Sequence, residues 1–416
     1  MSGSAEKQGI ILIIGLVWPE PSTTAAGSRM MQLIRFFLKN DYRIVFASTT
    51  SESEQSADLV SIGVEKATIQ LNDTSFDIFV KDINPTIVLF DRFLTEEQFG
   101  WRVMENAPNA IRILDSEDLH SLRNTREKAH KCNISFSIDD WKQNSLTKRE
   151  IASIYRCDAT LIISSFEMEL LQNELQLDKN LIWYLPFLLE SIDHRDWEGF
   201  EDRTDFICIG NGKHAPNVDA VEYLYEKIWP LIKKNLPNTN VHIYGAYLPK
   251  RIQQLHDPKA GFLVKGWADD AQIVFAKAKI NLAPLRFGAG IKGKLTDSMR
   301  YGTPSITTSI GAEGMHLDLP WNGSINDVTT EFADAAVQLY QNREKWQIAQ
   351  QNGLKILQQV YNAKDLEANL LNRITALQKN LDNHRSQNFI GGMLAQHTVM
   401  ASKYLSKWIT EKNRRE

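Results

Sequence analysis

Apolar positions in this chain fall into short unbroken runs, separated by longer stretches with apolar residues at helical spacing. The first run, "GIILIIGLV" from residue 9, is too short for an ordinary helix and rich in isoleucine, which predicts a buried parallel strand. A loop with Pro19, Pro21 and Gly27 follows, then the helical pattern "SRMMQLIRFFLKN" and the strand pattern "YRIVFAST". Strand, loop, helix and strand in that order begin a parallel α/β sheet. The runs "PTIVLFD", "AIRILDSED", "DATLIISS" and "NLIWYLPF" continue it.

The pattern lapses over residues 190–204, "ESIDHRDWEGFEDRT", which reads as a linker. A second α/β series starts beyond it: "DFICIGNG", a helix from about Val218 to Lys234, then "NVHIYGA", "GFLVKGW", "AKINLAPL" and "TPSITTS". From about Asp365 the pattern is helical. The expected organisation is an α/β domain over residues 1–195, a second over 196–365 and a helical tail over 366–416. Two such halves joined by a linker leave a cleft between them, a common place for ligands.

Composition narrows the classes. A formal net charge of -4 excludes a general nucleic-acid binder, which needs a basic surface. Three cysteines without pairing or metal spacing fit a reducing compartment. No apolar run approaches the ~20 residues of a membrane span. The expected location is the cytoplasm, with the inner face of the membrane as an extension.

The chemistry concentrates in "PLRFGAGIKGKLTDSMRYGTPSITTSIGAEGM", from residue 284. Lys292 and Lys294 stand where a helix begins, although the helix dipole disfavours cations there. An anion resolves the conflict. Glycines 288, 290 and 293 allow backbone N–H groups to converge, and the helix N-terminus adds its own. Asp297, one turn on, could accept hydrogen bonds from ribose hydroxyls. The plain alternative is an i,i+3 ion pair between Lys294 and Asp297 on a solvated helix.

This stretch resembles the donor-site signature of GT-B glycosyltransferases similar to family 4. The matching residues are Arg286, Gly288, Gly290, Lys292, Lys294, Asp297, Gly302, Pro304, Glu313 and Gly314. Three further blocks agree: "CIGNGKHAPNVDAVEYLYEKIWPLI", "ILDSEDLHSLRNTRE" and "PSTTAAGSRMMQLIRFFL". Many family members carry two glutamates eight positions apart; here the second corresponds to Asp297 and the first falls on Ala289.

The resemblance implies two Rossmann-like domains, transfer of a sugar from a nucleotide-diphosphate donor to a glycan or lipid-linked acceptor, and retention of configuration. It implies catalysis by Lys292, Lys294, Arg286 and His120. It implies donor contacts at Gly27, Gly210, Asn211, Asn217, Gly266, Gly288, Ala289, Gly290, Ile291, Asp297 and Glu313. Acceptor contacts are expected at Asp115, Asp118 and Arg123. A GT-B epimerase, a phosphorylase and a non-catalytic nucleotide-sugar binder are the alternatives.

Some features keep two readings. Asp115 and Asp118 end a strand, where capping and turn roles are common, and His120 could be a structural histidine. Arg123 and Arg126 either orient these acids, contact an anionic acceptor or lie solvated. Asn217 is a plausible N-cap, with Asp219 in the first turn. "KGWADD" is either a turn with Trp267 in the core or, by resemblance, a loop near the nucleotide base. There is neither an Asp-x-Asp motif nor zinc-ligand spacing, so no metal or other cofactor is expected. In the tail, Phe389, Met393, Met400, Tyr404 and Trp408 share a face, with Lys403, Lys407, Lys412 and Arg414 nearby. The resemblance implies that the last helices, residues 366–416, cross back and pack on the first domain, which is the favoured reading. A peripheral membrane contact is the alternative.

Overall fold

The computed structural model describes residues 8–191, 197–396, 408, 409 and 412. The first sheet has seven strands: β1 (Gly9–Gly15), β2 (Tyr42–Ser48), β3 (Glu65–Thr68), β4 (Ile87–Asp91), β5 (Ile111–Asp115), β6 (Ala159–Ile162) and β7 (Ile182–Tyr184). Their order is β3-β2-β1-β4-β5-β6-β7, every pair parallel. The second has six: β8 (Thr204–Ile209), β9 (Val241–Tyr244), β10 (Phe262–Gly266), β11 (Ala278–Ala283), β12 (Ser305–Thr307) and β13 (Gly323–Ile325). Their order is β10-β9-β8-β11-β12-β13, again parallel.

Both sheets are doubly wound, because β1 and β8 are each flanked by strands reached in opposite directions. Ligands of such sheets bind beyond the carboxyl ends of the strands at that reversal. Here the reversals lie between β1 and β4 and between β8 and β11. The residues that leave them, from Val17 and Asp91 on one side and from Gly210 and Leu285 on the other, line a common cavity.

Burial on both faces explains the unbroken apolar runs. Ile11 and Ile13 of β1 pack in one cluster with the helix Ala25–Lys39, and Leu12 and Ile14 pack in another on the opposite face. The first cluster also takes Ala363, Leu370, Ile374 and Leu377 of the helix Ala363–Lys379. The chain thus crosses back to the first sheet, as the family resemblance implies. The crossing is tied by Leu189 N–H to the Tyr361 carbonyl and Ala363 N–H to the Leu189 carbonyl.

Two local expectations change. The helix read as Val218–Lys234 starts at Ala215 and ends at Asn235, with a π-helical turn over Leu224–Ile228. Pro230 follows that turn and lacks the N–H a regular helix would use there. In the tail, the Phe389–Ala395 helix packs through Gly391, against the Tyr155 carbonyl. Phe389 is 79 % exposed and Met393 57 %, so these two do not pack on the protein as favoured. Met400, Lys403, Tyr404, Lys407 and Arg414 lie outside the described residues.

Candidate functional site

The cleft cavity encloses about 810 Å³, room for a nucleotide sugar. Two helix N-termini open onto it from opposite walls: Ala25–Lys39 of the first domain and Gly293–Arg300 of the second. They approach closely, since a Cβ on Gly293 would stand 2.7 Å from the Ala25 Cβ. Each presents amides with no preceding intrahelical carbonyl, and the two dipoles point positive ends toward one space.

The two lysines stand at this point. Lys292 is 8 % exposed and donates to the Gly290 carbonyl at 2.8 Å. Lys294 donates to Asn217 Oδ1 at 2.6 Å, and Asn217 Nδ2 holds the Asn211 carbonyl at 3.0 Å. Burial pulls both ammonium groups down to about 8; Glu313 opposes the shift at Lys292 and Cys208 at Lys294. Buried cations without a carboxylate partner at hydrogen-bond distance are costly unless an anion joins them. The alternative ion pair to Asp297 is absent: Asp297 faces Arg300 at 3.6 Å, and burial raises its carboxyl to about 6.

Asn217 therefore does not cap its helix. His214 occupies the N-cap position without a side-chain bond, and Asp219 lies beyond the first turn. The amide side chain is taken by Lys294 instead.

Of the expected residues, Gly27, Gly210, Asn211, Asn217, Gly288, Ala289, Ile291, Lys292, Lys294 and Asp297 line the cavity. So do Asp118, His120 and Arg123. Asp118 pairs with Arg123 and lies 3.3 Å from His120 Nε2. Burial draws the His120 imidazole to about 4, so it is neutral at pH 7. Trp267 also lines the cavity and is 38 % exposed, which removes the core-packed reading.

Five expected residues stand back from the cavity. Asp115 ends β5 with its side chain buried, gripped by Arg29 at 2.8 Å. Arg286 turns to Asp219 at 2.5 Å and lies over the Tyr223 ring, so it does not face the lysines. Glu313 forms a bidentate pair with Arg126, at 2.7 and 2.8 Å. Gly266 ends β10 just ahead of the lining residues Trp267 to Gln272. Gly290 donates its N–H to Glu167 at 2.9 Å, so that amide is not free for a phosphate. Only glycine fits there: φ is 64°, and a Cβ would meet the Asp118 Cβ at 2.7 Å. Gly27, though in the wall, is glycine because a Cβ would strike the Glu20 backbone at 2.4 Å.

The sequence reading overlooked how the first domain grips this loop. Arg126, 7 % exposed, donates to the Gly288 carbonyl at 2.9 Å besides holding Glu313. Glu167, fully buried, accepts from Gly290 N–H and from Leu119 N–H at 3.0 Å. Burial, then the charge on Asp118, raises its carboxyl to about 8. His130 stacks on Phe287 and reaches Asp219 at 3.2 Å. His120, Arg123, Arg126 and His130 fall on one face of the helix His120–Lys131, and that spacing was the available signal. Glu167 had none, being one of two carboxylates within "SSFEMELL". Among the described residues no group of three or more His, Cys, Asp or Glu could hold a metal ion, and no helix is long and apolar enough to cross a membrane.

Residues 203–342 match the family described as Glycosyl transferases group 1. No curated protein matches the chain in sequence. Among solved structures, sucrose-phosphate synthase from Thermosynechococcus elongatus is similar with a TM-score of 0.66 at 13 % identity, over 89 % of this chain and 99 % of that one. A crystal structure of TarM gives a TM-score of 0.68 at 10 % identity, over 88 % and 99 %. HepE of Anabaena, in complex with UDP and glucose, gives 0.65 at 10 % identity, over 88 % and 99 %. The architecture is GT-B, and the greater part of its second half matches a group 1 glycosyltransferase domain. The epimerase, phosphorylase and non-catalytic readings find no support among these proteins.

Proposed function

We propose that the protein transfers a glycosyl unit from a nucleotide-diphosphate sugar, bound mainly by the second domain, to an acceptor on the first. The observation that carries this reading is the convergence of Lys292, Lys294 and two helix N-termini, from opposite walls, on one space in the cavity. Lys294 and Lys292 meet the charge that develops on the departing diphosphate, and the preorganised amides beside them do the same without reorganising. The reading assigns the diphosphate's charge to side chains, since two ammonium groups match the two charges of a diphosphate diester.

Asp297 is assigned to the ribose, and the Trp267–Asp270 loop to the base. His120, neutral and held by Asp118, is assigned to the transferred sugar. Arg126 and Glu167 are positioning residues that hold Gly288 and Gly290. Reaction with retention is proposed from the family resemblance, and no side chain is assigned as a covalent nucleophile. HepE was solved with UDP and glucose, which favours UDP as the first donor base to test.

The test is nucleotide release from UDP-, GDP-, dTDP- and ADP-sugars, with and without magnesium, on addition of glycan and lipid-linked acceptors. Acceptor-dependent release of one nucleoside diphosphate that persists in EDTA supports the reading. Release that needs free phosphate, or a sugar nucleotide altered without acceptor, overturns it.

A further inference from the structure

The first domain's wall of the cavity holds polar groups that the donor site does not use. Register pairs Asp91 with Asp115 at the ends of β4 and β5, so the residues that follow emerge side by side. Two of them, Arg92 (φ 70°) and Glu117 (φ 62°), take left-handed backbone. Such conformations cost non-glycine residues of order 1–3 kcal/mol each and cluster at ligand sites. Asp91, Arg92 and Glu117 all line the cavity.

Each keeps bonding capacity unused within the protein, although Asp91 Oδ2 accepts from Leu16 N–H at 3.0 Å. Asp91 is 4 % exposed, and its Oδ1 has no hydrogen-bond partner. Glu117 Oε1 is buried without one as well. The Arg92 guanidinium comes nearest a partner where Nε stands 3.7 Å from Asp91 Oδ1, too long for a hydrogen bond. Buried polar atoms are seldom left so, and a ligand that completes them is the simplest resolution.

Charge balance selects the ligand's class. Arg29 answers Asp115, and Arg123 answers Asp118. Arg92 is left against two acids, Asp91 and Glu117. Burial, reinforced by Asp115, holds the Glu117 carboxyl well above its usual range. This wall therefore has no surplus cation. A phosphate or carboxylate brought to Arg92 would also meet Asp91, and the nearest unbalanced cations are the lysines opposite. A neutral ring with several hydroxyls suits it better: the guanidinium donates, and the carboxyl oxygens accept from O–H groups.

We propose that Arg92, Asp91 and Glu117 form the acceptor subsite and that it takes an uncharged, polyhydroxylated sugar unit. The proposal rests on the donor reading of the opposite wall, and its test separates the two. Saturation-transfer NMR on the full chain would compare methyl glycosides of glucose, galactose, mannose and N-acetylglucosamine with the 6-phosphates of the same sugars. Each would be run with and without UDP, GDP, dTDP and ADP. One or more neutral glycosides should bind, at least about tenfold more tightly than the phosphates. Arg92→Ala should weaken that binding at least about tenfold, the loss of one charge-assisted hydrogen bond. Glu117→Gln, which keeps shape and neutrality, should stay within about threefold.

Nucleotide binding, unchanged in both variants, shows that the fold and donor site persist. Preferential binding of the phosphates, binding of no sugar, or full glycoside binding by Arg92→Ala overturns the proposal. Absence of nucleotide binding in the unmodified chain is a separate outcome and overturns the donor reading on which it rests.

Discussion

The two walls of the cleft perform neighbouring tasks with different materials. The second domain's wall puts Lys292 and Lys294 in one continuous segment, residues 285–297, a glycine-rich loop and a helix start, flanked by residues 210–217 and 267–272. The first domain's wall is gathered from strand ends and helix starts between Val17 and Phe187. It keeps its acids and arginines in buried pairs such as Arg29–Asp115 and Arg126–Glu313, the latter reaching across the cleft. One wall carries unmatched positive charge and waits for an anion. The other is nearly balanced and offers shape and hydrogen bonds.

The largest expected effect breaks the charged wall. Lys294→Ala should cut turnover by about 10²–10³-fold, as removal of a donor to developing charge does elsewhere, and should weaken nucleotide binding in titration calorimetry. Its circular dichroism spectrum should match that of the unmodified protein, because the lysine's side chain donates to the Asn217 side chain and ties no backbone.

Next comes the grip of one wall on the other. Arg126→Ala should lower kcat by about 10–10²-fold, the scale of a misplaced reacting group, with a smaller change in nucleotide affinity. Arg126→Lys should recover little, since an ammonium cannot reproduce the bidentate bonds to Glu313. Stopped-flow kinetics that show equal losses in kcat and affinity would reduce Arg126 to a structural role.

A third test uses pH. Lys292 and Lys294 are charged below about 8 and neutral above it. Diphosphate binds the charged forms, so affinity should hold from pH 6.5 to 7.5 and fall at least about tenfold by pH 9.5. Without ligand the sign reverses for stability. The unfolded chain keeps these protons up to about 10.5, so between 8 and 10.5 the folded state holds fewer, and their unfavourable burial is relieved as pH rises. Calorimetric titration across pH, with melting curves alongside, checks both signs.

The smallest effect should come from Arg286→Ala. Its guanidinium is turned to Asp219, so turnover should change by no more than about threefold, the scale of an exposed pair. A loss as large as that of Lys294→Ala would mean that Arg286 swings to the phosphates on binding.

The contrast also explains what the sequence revealed. Strands buried on both faces are written as unbroken apolar runs, so both sheets could be read, except the short β3 and β13. Lys292, Lys294 and Asp297 were legible because one loop and one helix carry them. Arg286 and Glu313 share that segment, yet their side chains turn to Asp219 and Arg126, which lie far away in sequence. Asp115 was misread for a like reason: Arg29, 86 positions away, holds it. Glu167 meets Gly290 across 123 positions, and no local pattern announces that contact.

The central claim is that the lysine wall binds a nucleoside diphosphate, and melting temperature with and without UDP, GDP, dTDP and ADP tests it most directly. At a hundredfold excess over Kd, one nucleotide should add about 2.7 kcal/mol of stability, a shift of several degrees, with or without magnesium. The shift should vanish in Lys294→Ala. An equal shift in that variant, or none with any nucleotide in the unmodified protein, would contradict the account.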